Sequence, residues 1–240
     1  MVNIHAFTSV NALNEALAAY IMEIAHQAIA ERGRFNFVLT GGSSPKALYR
    51  YLASRYRDEI HWDKVYFFFG DERNVLPEHD DYNGCMADEH LLRPLHIAQD
   101  HVFYVNTSLA PEQAAADYEA RIQAHFRDNP VVFDLILLGM GDDAHTASIF
   151  PGTDLVRNDQ ESVAAVWVEK LNTYRISMTA ARINKARQIA FIVFGENKAA
   201  AIRHVLRNPE KDVNRYPAQL IEAETGHTDW FMDDAAAALL

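Results

Sequence analysis

The chain has 240 residues, 49% of them apolar, which is enough for one large core in a single domain spanning 1–240. Its 22 lysines and arginines face 33 aspartates and glutamates, a formal charge of −11 that argues against nucleic acid as a partner. One cysteine, Cys85, excludes an intramolecular disulfide and fits a reducing compartment, and no stretch is long and apolar enough to span a bilayer.

The N-terminus, Met1-Val2-Asn3-Ile4-His5, has no basic region leading into a long apolar run, so no signal peptide is expected and the chain reads as cytoplasmic. An amphipathic helix is predicted over 11–31. It leads straight into an apolar strand near 35–40, which leaves no room for a helix-turn-helix. The segment Thr40-Gly41-Gly42-Ser43-Ser44-Pro45 then opens a helix near 45–55, with proline where its missing N–H costs nothing. Free N–H groups at Gly41 and Gly42, the hydroxyls of Ser43 and Ser44, and the positive end of a helix dipole together make a phosphate site. The spacing fits neither the dinucleotide-binding glycine motif nor the P-loop.

A second strand near 65–69 ends at Gly70-Asp71-Glu72-Arg73, which reads either as chemistry at a strand end or as a solvated loop with a surface ion pair. Asp80-Asp81-Tyr82-Asn83-Gly84 reads as a loop, and the apolar spacing of Cys85, Met86 and Leu91 as buried packing. After a helix near 111–127, a strand over 133–138 stops at Gly139-Met140-Gly141 and hands over to Asp142-Asp143-Ala144-His145-Thr146. An all-apolar strand of this kind is covered on both faces, and ligands bind beyond the carboxyl ends of such strands. Strands near 163–168, 174–179 and 189–194, a helix over 196–207, a charged loop from Arg207 to Tyr216 and a closing helix from Asp233 to Leu240 complete the chain. The alternation predicts an α/β fold, a Rossmann-like, mostly parallel sheet with helices on both faces. The eleven histidines are scattered without a supported metal-ligand spacing, so no metal is expected.

The segments 40–45, 70–73, 139–151, Tyr174-Arg175-Ile176-Ser177-Met178-Thr179, Phe194-Gly195-Glu196-Asn197-Lys198-Ala199, Tyr216-Pro217-Ala218-Gln219 and Asp229-Trp230-Phe231-Met232-Asp233-Asp234-Ala235-Ala236, in this order, resemble the 6-phosphogluconolactonases of the family shared with glucosamine-6-phosphate isomerase/deaminase. The resemblance covers nearly the whole chain and implies a NagB/RpiA-like fold. One departure stands out: Ala144 occupies a position where the family usually has glycine, and a positive φ there is awkward for alanine.

The same resemblance implies hydrolysis of a sugar-phosphate lactone by activated water, with no cofactor. His145 is the expected general base, since imidazoles in general change charge near neutrality, and a short helix starting near Thr146 would help keep the ring neutral. Asp143 or Asp71 would orient the ring or the water, Arg73 would face the developing oxyanion, and Arg175 and Lys198 would join Gly41, Gly42, Ser43 and Ser44 around the phosphate. Two alternatives remain at this level. In deaminases a glutamate stands where this chain has Phe150, and a tyrosine where it has Arg73, so deamination is disfavoured. A non-catalytic sugar-phosphate-binding module would not need both Asp143 and His145. The expected partner is the small lactone, with no nucleic acid or membrane, and the expected state a monomer or weak homodimer.

Overall fold

In the computed structural model, which describes residues 1–127 and 129–240, the apolar runs become strands β2 (Phe35–Leu39), β3 (Val65–Phe69), β5 (Leu135–Leu138) and β8 (Gln188–Val193) of one six-stranded sheet. Two strands that the residue pattern left unassigned complete it: β1 (Val2–Phe7) and β9 (His227–Asp233). The order is β1-β9-β8-β5-β2-β3, and every neighbouring pair is parallel. Strand β1 is an edge strand that is only half-buried, so no continuous apolar run marks it.

Alternate residues of the central strands feed two separate cores, as the twofold period of a strand requires. Val38, Phe68, Ile136 and Leu138 point to one face, where α4 (Pro111–Phe126) supplies Tyr118 and Ile122 and α6 (Ala199–Arg207) supplies Ile202. Phe37, Leu39, Phe67, Phe69 and Leu137 point to the other, against Leu13 and Leu17 of α1 (Val10–Arg32) and Leu48 and Leu52 of α2 (Lys46–Arg55). Each such side chain contributes about 2 kcal/mol by leaving water. Helix α1 is closed at both ends by local chemistry: Ser9 Oγ accepts the Ala12 N–H, and Gly33 takes φ 74° at the C-cap.

Four readings need correction. Strands β6 (Val163–Val168) and β7 (Thr173–Met178) do not join the parallel sheet; they form an antiparallel hairpin. The four residues between them are too few for a parallel crossover, which needs a dozen or more. Residues 71–73 are not a solvated loop but strand β4 (Asp71–Arg73), which pairs antiparallel with β7 to give a second sheet of order β4-β7-β6. The closing helix is short, α7 (Asp234–Ala237): Asp233, the last residue of β9, caps it by accepting the Ala236 N–H (2.9 Å), and it stops at Ala237 rather than Leu240. Helix α3 (Asn83–Ala87) begins inside the segment read as a loop and runs into a π-helical turn at Asp88–Leu92, and a short helix α5 (Ala180–Asn184) follows β7. Among the described residues no helix is long and apolar enough to cross a membrane.

Candidate active site

The chain runs from β2 to β3 on one side of β2, then returns to the other side to form β5, so the switch in direction lies between β2 and β5. A crevice at the carboxyl ends of such strands is where parallel sheets bind ligands. The segments that follow β2, β3, β5 and β8 all emerge on this edge.

The loop after β5 is tied down before it reaches its ionisable residues. Thr146 Oγ1 donates to the Gly139 carbonyl (2.8 Å), the Gly139 N–H donates to Thr40 Oγ1 (3.2 Å), and the Gly141 N–H donates to the His145 carbonyl (2.9 Å). Asp143 Oδ1 accepts from the His145 backbone N–H (3.2 Å) and lies 2.5 Å from ring Nδ1. An ionised carboxylate can only accept, so Nδ1 carries the proton, and in the neutral form of the ring the lone pair is left on Nε2. Asp143 is ionised: burial alone would raise its carboxyl, but hydrogen bonds and charge from His145, with a further bond from Lys170 Nζ (2.9 Å), hold it well below the usual carboxylate range. The imidazole stacks on Phe150, ring centroids 3.9 Å apart and planes 16° from parallel.

The tight turn leaves no space at Gly141, where an added Cβ would lie 2.1 Å from His145 Nδ1 and 2.5 Å from Asp143 Oδ1. Ala144 has φ 59° and Ala147 φ 46°, both in the left-handed region that alanine adopts at a cost of about 1 kcal/mol or more. The positive φ that the glycine-for-alanine departure called into question is therefore present. No helix starts near Thr146; residues 146–149 close an isolated antiparallel bridge, and no dipole acts on His145 from there.

The loop after β2 lies beside this turn. Tyr49 OH bonds both the N–H and the carbonyl of Thr40, anchoring the strand end, and Gly42 turns with φ 82°. An added Cβ at Gly41 would lie 2.0 Å from the Asn83 side chain, whose Nδ2 donates to the Asp71 carbonyl (2.9 Å). Ser43 is exposed and Ser44 half-buried at the start of α2.

Arg73 and Arg175 face one another across the β4–β7 pair. Burial first, and then the charge of Arg73, pushes the Arg175 guanidinium down. Arg73 NH1 donates to the Asp81 carbonyl (3.1 Å), and its NH2 lies about 4.0 Å from where a Gly42 Cβ would be. Both Nε atoms are buried and, among the described residues, have no hydrogen-bond partner. Asp71, Glu72 and Asp81 attract the Arg175 guanidinium, but the first two spend their hydrogen bonds elsewhere. Glu72 is fully buried and accepts the N–H groups of Arg73 (2.7 Å), Asn83 (2.7 Å) and Gly84 (3.0 Å). Burial pushes its carboxyl up to about 8 against those three donors. Asp71 Oδ2 accepts from Ser148 Oγ (2.6 Å), and the Ser148 N–H donates to Ser177 Oγ (3.1 Å), so Asp71 braces the loop that carries His145 rather than touching the imidazole.

The structure therefore brings Asp143 to His145, Arg73 to Arg175, and Gly42 to Arg73. Lys198 is half-buried in the 3-10 turn Glu196–Lys198 after β8, and among the described residues no carboxylate lies within ion-pair distance of it. Sequence reasoning missed Lys170, Asn83 and Ser148. Lys170 lies in an ordinary charged hairpin turn, and the other two act through loops whose partners lie far away in the chain. Among the described residues, no group of three or more His, Cys, Asp or Glu side chains is placed to hold a metal ion.

Residues 8–230 match the family described as glucosamine-6-phosphate isomerases/6-phosphogluconolactonase. A 6-phosphogluconolactonase of Nostoc sp. is 39% identical over 217 residues, 89% of this chain and 88% of the relative. The solved structure of 6-phosphogluconolactonase from Trypanosoma brucei superposes with a TM-score of 0.88 at 26% identity, covering 100% of this chain and 99% of the other. A monomeric glucosamine-6-phosphate deaminase superposes with a TM-score of 0.85 at 16% identity, covering 99% of this chain and 100% of that one, a likeness of fold alone.

Proposed function

We propose, from the premise that this chain belongs to the glucosamine-6-phosphate isomerase/6-phosphogluconolactonase family, that it hydrolyses 6-phospho-D-glucono-1,5-lactone to 6-phospho-D-gluconate. The fold serves both branches of the family, so the choice rests on the site. The observation that carries it is the Asp143–His145 pair, with Nδ1 committed to the carboxylate and Nε2 left as the base. Water attacks the ring ester carbonyl as Nε2 takes its proton. The tetrahedral intermediate then collapses, the C–O bond to the ring oxygen breaks, and the imidazolium returns the proton to that oxygen. Proton transfer of this type contributes about 100- to 10,000-fold.

Arg73 and Arg175, with Gly41, Gly42, Ser43 and Ser44, bind the phosphate, and Lys198 flanks it from the β8 side. Arg73 thus moves from the oxyanion to the phosphate, while the field of two adjacent guanidiniums still favours negative charge developing at the carbonyl. Asp143 orients the imidazole and Asp71 braces its loop. Phe150, stacked on the ring, cannot relay the protons that an aldose-ketose step requires. The expected state is a monomer or weak homodimer, and Cys85 fits a reducing compartment such as the cytoplasm.

The test is hydrolysis of freshly made lactone, coupled to 6-phosphogluconate dehydrogenase and corrected for spontaneous opening, beside ammonia release from glucosamine-6-phosphate. Acceleration in the first assay alone is expected. Ammonia release alone would overturn the assignment, and silence in both would leave a binding module.

A further inference from the structure

The hairpin joining β6 to β7 ends in the turn Glu169–Leu171, and its tip reaches the far side of Asp143. Lys170 Nζ lies 2.9 Å from Asp143 Oδ2, while Oδ1 is taken by the imidazole and the His145 backbone N–H. The two oxygens of the carboxylate are thus held from opposite sides by different sheets.

The hairpin is built to keep that contact. Asn172 takes φ 47° and its N–H donates to the Glu169 carbonyl (3.1 Å), closing the turn. The Trp167 ring meets Tyr174 edge-on at 5.1 Å, and its Nε1 donates to Glu169 Oε2 (2.7 Å). Glu169, the one acid of the turn, is therefore drawn to Trp167, and Lys170 is the residue presented to Asp143. The other charged neighbour is Asp142, on the same loop as Asp143, which also attracts the ammonium. Between the hairpin and the Phe150–Asp154 segment lies a cavity of about 730 Å³, bounded by Asp143, Phe150, Trp167, Lys170 and Tyr174. Without the ammonium, Oδ2 would face that space and could be hydrated or rotate within it.

We infer that Lys170 is a positioning residue: it pins Asp143 so that Oδ1 holds the Nδ1 proton of His145 and aims Nε2 at the lactone. The inference rests on the lactonase reading for its kinetic consequence only, because the hydrogen bond itself exists without substrate. Lys170 is 64% exposed, and exposed ion pairs are individually weak, so the effect is bounded at about two- to tenfold.

The experiment compares wild type with Lys170→Met and Lys170→Arg in two readouts. The first is kcat and KM for the lactone. Lys170→Met is expected to lower kcat about two- to tenfold with KM little changed, and Lys170→Arg to restore most of it. The second is the proton NMR signal of the His145 Nδ1–H in the free protein, far downfield of the amides and assigned by its loss in Asp143→Asn. It should broaden in Lys170→Met and persist in Lys170→Arg. An unchanged signal together with unchanged kcat overturns the inference. A change confined to KM also overturns it, because it would mean that Lys170 contacts the substrate. A wild type inert toward the lactone, in which the signal still depends on Lys170, would remove the functional reading and leave the positioning role standing.

Discussion

The two ends of the site are built on opposite electrostatic plans. Around His145 the donors and acceptors are matched: Asp143 takes the imidazole and Lys170, the Gly141 N–H takes the His145 carbonyl, and Thr146 takes Gly139. Around Gly42 the balance is left open, with two guanidiniums side by side and both Nε atoms buried and, among the described residues, unpartnered. A base must be aimed before substrate arrives, so its geometry is completed by the protein itself. An anion site gains affinity from charge that the protein leaves uncompensated, and the cost is borne by the unliganded fold. A global charge of −11 makes such local imbalance necessary for an anionic ligand.

The sharpest break of this contrast is His145→Ala, expected to lower kcat by about 100- to 10,000-fold while product affinity, measured by calorimetry, is retained. Unchanged turnover would remove His145 from the mechanism. Gly141→Ala attacks the same end without touching a titratable group. Its Cβ would have to displace the His145 ring and Asp143 together, so kcat should fall by about 100-fold in a protein that still melts cooperatively.

At the other end, Arg175→Met should raise KM by about 10- to 100-fold with little change in kcat, the value of a charge-assisted hydrogen bond. The same variant should not lose stability in the absence of ligand, because it removes one of two like charges. Inorganic phosphate should raise the Tm of wild type and fail to do so in the Arg73→Met/Arg175→Met double variant. A phosphate shift that survives both substitutions would dissolve the distinction between the two ends.

The pH dependence separates the two plans as well. Asp143 is held below its unfolded value, so the unfolded chain binds more protons as pH falls through about 4. Its stabilisation is present above that pH and is lost toward stronger acid, and Asp143→Asn should flatten that limb in urea titrations. Glu72 has the opposite sign. Its folded value is raised to about 8, so between the usual glutamate range and that pH its contribution declines as pH rises.

The smallest effects concern backbone strain in the base loop. Ala147→Gly should raise stability by about 1 kcal/mol, a Tm increase of roughly 2–4 °C. At Ala144 the same relief is offset by loss of a fully buried methyl worth about 0.8 kcal/mol, so Ala144→Gly should be nearly neutral.

Much of this contrast was legible in the residues. The strands that end in Thr40 and Gly139 are apolar throughout because both faces are covered, and composition alone marks them. His145 stands out in a motif at a strand end, whereas Arg175, inside β7, is implied only by the family resemblance. The pattern of β6 and β7 reads as part of the parallel sheet although their four-residue connection forbids that, because alternating apolar character carries no direction. Strand β4 was hidden for a different reason: Asp-Glu-Arg is a surface composition, and only three backbone donors make a buried glutamate tolerable there.

The sequence by itself determined the parallel α/β frame, the longer helices, and the polar groups delivered to one edge, since these depend on periodicity and local turn chemistry. Only the tertiary structure decided that Arg73 lies beside Arg175, that Asp71 braces Ser148, and that Lys170 closes on Asp143. Those contacts join residues 27 to 102 positions apart across two sheets, and pairing at such separation is set by packing that no local pattern encodes.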